Sequence, residues 1–460
     1  MEKENKLGTL PVNKLLRQFA VPSIVAMMVM ALYNIVDQFF IGQKIGELGN
    51  AATNIVFPLS TSCIAIALLC GIGGAAAFNI SLGQGDKNKA MHYVGNALSL
   101  MVTSGLVLFV LVELFLPQML DIFGCPKDVY GYAVSYTRIT AIGFPFIILS
   151  SGGGNLVRAD GSPAFSMICN IVGAVVNTIL DPILIFGFDM DMEGAAIATV
   201  AGQIISAAMA AAYLYKFKTA KITATHLKMK AVYLKRIVSL GATPCFNQLA
   251  MMIVQIVLNK SLTYYGAHSS YGESVPLACA GIISKVNQIY FSIVIGLSQG
   301  LQPIISFNYG AKKYTRVRKA YKLAVTYGLS VSVIAFLAFQ IFPRQITSIF
   351  GNGTEEYYSF AINYFRIFLF GTFINCMQPL TSNFFTAIGK PKRGIFLSLT
   401  RQIIFLLPLI VVFPIIMGID GIMFAGPVAD IAAAVASFIM FGIESKKLKK
   451  IEATMEAVSN

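Results

Sequence analysis

The chain has 460 residues, of which 56% are hydrophobic and only 12% charged, and its formal charge is +14. A soluble domain carries about 25% charged residues, whereas here apolar runs of 20 or more residues recur along the whole length. That excludes a soluble enzyme or a soluble domain on a single anchor, and predicts an all-α polytopic membrane protein.

The first apolar run begins near Leu15 and extends past residue 40. It is too long for a signal peptide and lacks a small-residue cleavage site, so it is read as the first span. Twelve spans are predicted: 14–41, 53–82, 91–115, 131–155, 163–187, 194–215, 235–264, 276–307, 317–342, 357–387, 394–417 and 423–443. Basic residues set their orientation. Of 35 Lys and Arg, 27 fall on one side, from Lys3 and Lys6 to Lys449 and Lys450, and 3 (Lys44, Lys127, Arg344) on the other. The positive-inside rule then puts both termini in the cytoplasm, in a multi-pass protein of the cell (plasma) membrane. Placed this way, the charge is a topology device and a contact for anionic membrane lipids, with no nucleic-acid partner implied.

In span 1, Met30, Tyr33, Asn34 and Asp37 share one face by helical spacing, and Pro22 is expected to kink the helix. Span 5 carries Asn177-Thr-Ile-Leu-Asp181-Pro182. An acid there costs about 2.5–3.5 kcal/mol at a helix centre, so something must offset it. Asn177 lies one turn before Asp181, and Pro182 leaves the Thr178 carbonyl without its helical donor. At ~1.5 Å per residue, Asp37, Asp181 and Thr199 of span 6 all lie ~9–12 Å inside the external end. Asp37, Asn177, Asp181 and Thr199 are therefore the candidate proton or small-cation site, with Tyr33 and Asn34 on its cavity side.

The chain also repeats. Ser81-Leu-Gly-Gln-Gly85 pairs with Ser306-Phe-Asn-Tyr-Gly310, and Pro117 and Ile122-Phe-Gly124 pair with Pro343 and Ile349-Phe-Gly351. Tyr136, Arg138 and Gly143 pair with Tyr364, Arg366 and Gly371. Asn155, Ala159, Gly161 and Pro163 pair with Asn383, Ala387, Gly389 and Pro391, so the offsets run from 225 to 228. Two six-helix lobes of like orientation follow, related by a pseudo-two-fold axis along the membrane normal. The expected division is 1–215 for the N-terminal lobe, 216–236 for a cytoplasmic connecting loop, 237–445 for the C-terminal lobe and 446–460 for a cytoplasmic tail.

Pro244 aligns with Pro22, and the position of Asp37 then falls near Asn259 and Lys260, so coupling is expected in the N-terminal lobe. Lys285 and Arg401 stand ~13 Å and ~10 Å inside spans 8 and 11. Each lines a central cavity, or Arg401 pairs with Asp430 of span 12. The 7 cysteines are scattered without a CxxC pair and the 3 histidines are far apart, so no metal site and no cofactor is expected. With 19 Met and 34 Phe, a cavity lined by soft side chains suits varied apolar cations.

These residues resemble the MATE (multidrug and toxic compound extrusion) family over nearly the full length, most closely its bacterial MepA-type branch. The likeness rests on Pro22 and Asp37, Asn177-x-x-x-Asp181-Pro182, Thr199, and Arg158-Ala-Asp-Gly-Ser-Pro163 with its echo Ala387-Ile-Gly-Lys-Pro391. It implies a secondary antiporter, not an enzyme, that exports small organic, often cationic and amphipathic compounds in exchange for H⁺ or Na⁺ by alternating access, as a monomer. It implies an ion site at Asp37, Asn177, Asp181 and Thr199, with Tyr33 and Asn155 bordering the drug cavity. The branch with an acid in span 7 is not matched, since that span offers Asn247, Gln248 and Gln255. The alternative is a flippase for a lipid-linked oligosaccharide or lipid, whose anionic head would need several converging Arg or Lys; only Lys285 and Arg401 qualify.

Overall fold

The computed structural model describes residues 5–272, 274–349 and 354–459. Lys3 of the basic side, and Phe350 and Gly351 of the repeat, lie outside the described residues. Among the described residues ten helices are long and apolar enough to cross a bilayer, and two bent pairs bring the number to twelve. They are Val12–Ile45, Glu47–Gly83, Lys87–Ile122, Lys127–Ile142 with Phe144–Ala159, Pro163–Gly187, Asp191–Tyr215, Ala231–Ala267, Ser274–Gly310, Tyr314–Ile341, Glu355–Phe368 with Thr372–Ala387, Pro391–Met417 and Ile419–Ser459. Helices suit this composition because hydrocarbon offers no partners to the backbone, which must satisfy itself within each span. Leu114, Ile334, Ile416 and Phe438 are 65–80% exposed on the outer faces, as a lipid-facing surface allows.

Most helices run past the predicted ends, because the apolar windows mark only the stretch in lipid. The tail expected after residue 445 is a continuation of span 12. Its Glu452 accepts the Thr315 backbone N–H at 3.0 Å and pairs with Arg318 at 2.6 Å. Glu444, fully buried on the same helix, is held by Lys390 and Arg393.

The duplication is visible in local geometry. Gly161 and Gly389 both adopt positive φ, 84° and 75°, and Pro163 and Pro391 each open the next span. Spans 4 and 10 bend by 53° and 40°. Each bend has a glycine facing a polar side chain from the last span of its half, Gly143 against Gln203 and Gly371 against Asp430. Spans 5 and 11 each contain a π-helical stretch next to a proline. Ile183–Gly187 follows Pro182, and Thr400–Leu406 precedes Pro408. A ring nitrogen cannot donate, and a widened turn is one way the ladder absorbs the gap. Pro22 does not break span 1, and the neighbouring Ser23 hydroxyl donates to the Phe19 carbonyl at 2.8 Å.

The two halves meet at the end that carries the termini. Gly296 and Gly300 let span 8 press on the backbone of span 1 at Ser23–Ile24 and Phe19–Ala20, where a Cβ would collide. Gly73 and Gly241 do the same between spans 2 and 7. Small residues four apart permit such close crossings. Hydrogen bonds between the halves gather at this end too: Asn308 and Arg316 donate to the Leu7 carbonyl, and Gln302 to that of Ile72. The cores are exchanged accordingly. Leu15, Leu16 and Phe19 of span 1 join the second half's apolar cluster, while Ile237 and Leu240 of span 7 join the first half's.

Candidate functional site

Span 5 sets the site. Asn177 and Asp181 are an i, i+4 pair on its inner face. Spans 5 and 6 come close because Gly173 and Gly202 face each other, and Ser206 Oγ donates to the Cys169 carbonyl at 2.8 Å. This brings Thr199 over Asn177. The Asn177 Nδ2 lies 3.4 Å from Asp181 Oδ1 and 3.3 Å from Thr199 Oγ1. Asp37 of span 1 is a neighbour of Asp181 in this cluster. Asp181 is fully buried, Asn177 2% exposed and Asp37 9% exposed.

The cluster is rich in acceptors and poor in donors. Asp37 Oδ1, Asn177 Oδ1, Asp181 Oδ2 and, on span 6, Gln203 Oε1 are buried with no donor among the described residues. Buried polar atoms are normally paired, and ionised carboxylates only accept. A group of oxygens like this can hold a proton between the carboxyls, or a small hard cation among the oxygens. Beside it opens a cavity with room for about 50 Å³ of water-sized occupants, lined by Tyr33, Asn170, Asn177, Thr199, Gln203 and Ser206 among others. It extends from the acids toward the end that carries the termini.

Asp37, Asn177, Asp181, Thr199 and Tyr33 are thus together. Asn34 is not with them: it is exposed, and its amide donates to the Met30 carbonyl at 2.8 Å. The spacing that put Asn34 on the mixed face leaves it at the edge of that face. Asn155 lies deeper toward the end that carries the termini, accepting from Arg158 at 2.8 Å, while Ser150 and Ser151 of its helix line the cavity. Lys285 is half-buried and does not line this cavity. Arg401 and Asp430 pair, Nε to Oδ1 at 2.5 Å, and Arg401 also lines a cavity of the second half. Two residues were not foreseen. Gln203 sits one turn after Thr199, a polar residue in an apolar span. Tyr136, buried beside Thr199 and both acids, had shown itself only as a mark of the repeat.

Solved membrane transporters share this architecture. A multidrug resistance MATE family transporter of the MOP superfamily, in an outward-facing conformation, superposes with a TM-score of 0.90 at 21% identity, over 97% of this chain and 100% of that one. A MOP superfamily transporter from Pyrococcus furiosus, whose binding pocket is described as reversed in polarity, does so with a TM-score of 0.90 at 20% identity and the same coverage. The fold is therefore that of a twelve-helix membrane transporter. The MatE family model matches residues 22–183 and again 245–412, once in each half, and the chain belongs to that family. Among its relatives, the multidrug export protein MepA of Staphylococcus haemolyticus is 24% identical over 437 residues, 94% of each chain. The protein of the same name from Staphylococcus aureus MSSA476 is 22% identical over 433 residues, 94% of this chain and 93% of that one.

Proposed function

We propose that this protein is a cation-coupled antiporter that exports small organic compounds, often cationic and amphipathic, from the cell. The observation that carries the reading is the meeting of Asp37 and Asp181, two buried carboxyls from different spans, amid oxygens that lack donors. In a dry site two such groups do not both stay charged, so the pair holds a shared cation, which we take to be H⁺; Na⁺ is the alternative for the same oxygens, with Asn177 and Thr199 completing its shell. Uptake of the cation neutralises the acids and changes how spans 1, 5 and 6 pack beside the cavity. A cationic cargo competes for the same charge and is released.

With the basic end in the cytoplasm, as the charge asymmetry favours, contacts between the halves at that end correspond to a state closed to the cytoplasm. The division into a 1–215 lobe, a 216–236 connector and a 237–445 lobe is part of this reading, with spans 1 and 7 as the crossing elements. The protein would act as a monomer in the plasma membrane. A flippase of anionic lipid-linked sugars is less favoured, because such a head needs several converging cations and Arg401 is joined by no second Lys or Arg among the residues that line its cavity. The test is efflux of a cationic dye from energised vesicles. Asp37→Asn and Asp181→Asn are each expected to reduce it to background, and unchanged efflux in both would refute the assignment.

A further inference from the structure

The C-terminal half contains a second cavity, with room for about 30 Å³ of water-sized occupants, walled by Asn247, Met251, Phe291, Gln378, Arg401 and Gln402 among others. It is the repeat-related counterpart of the first. Gln378 and Pro379 stand 228 residues after Ser150 and Ser151, and Arg401 and Gln402 stand 228 after Gly173 and Ala174. Asp430 presses on Gly371 as Gln203 presses on Gly143. Where the first half has small residues lining its cavity, the second has a guanidinium and an amide.

The polarity is also inverted. The first cavity adjoins oxygens without donors. In the second, Arg401 is 7% exposed and, among the described residues, its one hydrogen bond runs from Nε to Asp430, at 2.5 Å. Among the described residues, both Nη groups are left without an acceptor and the Gln402 amide beside them has no partner. The Phe291 ring lies over the guanidinium, with its centroid 5.8 Å from the guanidinium carbon. A fixed, desolvated guanidinium with two free donors recognises a carboxylate through parallel hydrogen bonds.

We infer that this cavity is an anion-accepting subsite, and that the cargo class includes zwitterions whose cationic end faces the Asp37–Asp181 half while a carboxylate meets Arg401. The cavity has room for such a group and not for a whole drug-sized molecule. Asp430 holds the guanidinium in place and offsets its charge when no cargo is bound. This inference rests on the export reading and narrows its substrate class.

The experiment uses the whole protein in lipid nanodiscs and two probes that differ in one group. Rhodamine B carries a delocalised cation and a carboxylate; its methyl ester is the same chromophore without the anion. Binding is followed by fluorescence anisotropy. The native protein is expected to bind both. The double substitution Arg401→Gln with Asp430→Asn, which leaves no lone buried charge, is expected to weaken rhodamine B by about tenfold or more and to leave the ester unchanged. A change equal for both dyes, or for neither, overturns the subsite, as does a native protein that binds the ester alone. If the double variant binds neither dye, Arg401→Lys decides: selective weakening of rhodamine B supports the subsite, and equal affinity for both dyes overturns it. A native protein that binds neither dye overturns the export reading and this subsite together.

Discussion

Asn177 and Asp181, one turn apart on span 5, lie 3.4 Å apart from amide nitrogen to carboxyl oxygen, and the same nitrogen reaches Thr199 at 3.3 Å. One side chain therefore ties the acid of span 5 to span 6, and the other oxygen of Asp181 has no hydrogen-bond partner among the described residues. Replacing Asp181 by Asn keeps the volume and removes the titration. Coupled efflux is expected to fall by about tenfold or more. Melting temperature in detergent is expected to hold or rise, because a buried charge is removed. A drop in both would mean that Asp181 serves the packing and not the coupling.

Gly300 of span 8 lies on the backbone of span 1 at Phe19–Ala20. A valine there cannot be accommodated by a rotamer change, since the obstacle is main chain. Gly300→Val is expected to cost about 1–3 kcal/mol, read as a lower melting temperature, and to weaken closure of the halves at this end. Gly131, with open space around it, is the control. Gly131→Ala is expected to be neutral, or to stabilise by up to about 1 kcal/mol through helix propensity.

Arg401 and Asp430 test a buried pair. Arg401→Gln alone leaves an uncompensated carboxylate and is expected to cost about 3–5 kcal/mol, while adding Asp430→Asn recovers most of it. A double-mutant cycle on thermal unfolding reads the difference.

The connector between the halves is pinned by Asp160, which accepts the Lys218 N–H at 2.7 Å, the Thr219 N–H at 3.1 Å and the Tyr213 hydroxyl at 3.0 Å. Asp160→Ala is expected to open Lys218, Lys221 and Lys228 to trypsin while the spans stay protected. Burial pushes the Asp160 carboxyl above the usual aspartate range, although Thr219, Lys218 and Tyr213 pull it down. The folded state thus favours the proton. The associated stability is complete below the ordinary aspartate value and is lost as pH rises through the raised one. Melting temperature of the native protein should therefore decline from about pH 4 upward more steeply than that of Asp160→Asn, and parallel slopes would rule this out.

The signals carried by local sequence were legible. Long apolar runs gave the spans, paired turn residues such as Gly161 and Gly389 gave the duplication, and depth counting brought Asp37, Asp181 and Thr199 to one level. What needed coordinates was how faces meet. At the bends of spans 4 and 10, Gly143 and Gly371 meet Gln203 and Asp430 arriving from another helix. The exchange of spans 1 and 7 between cores depends on glycines that read as ordinary small residues. Asn34 had the right spacing, but its amide folds back on the Met30 carbonyl. Tyr136 carried no charge to draw attention in an apolar run.

The most direct measurement is the proton count on cargo binding. A cationic dye is added to the purified protein near neutral pH, in weak buffer without sodium, and the released protons are titrated. If Asp37 and Asp181 share a proton that cargo displaces, the native protein releases about one per dye bound and Asp37→Asn and Asp181→Asn release none. Dye binding to the native protein without proton release, or the same release from both variants, would mean that the acid pair does not exchange H⁺ for cargo.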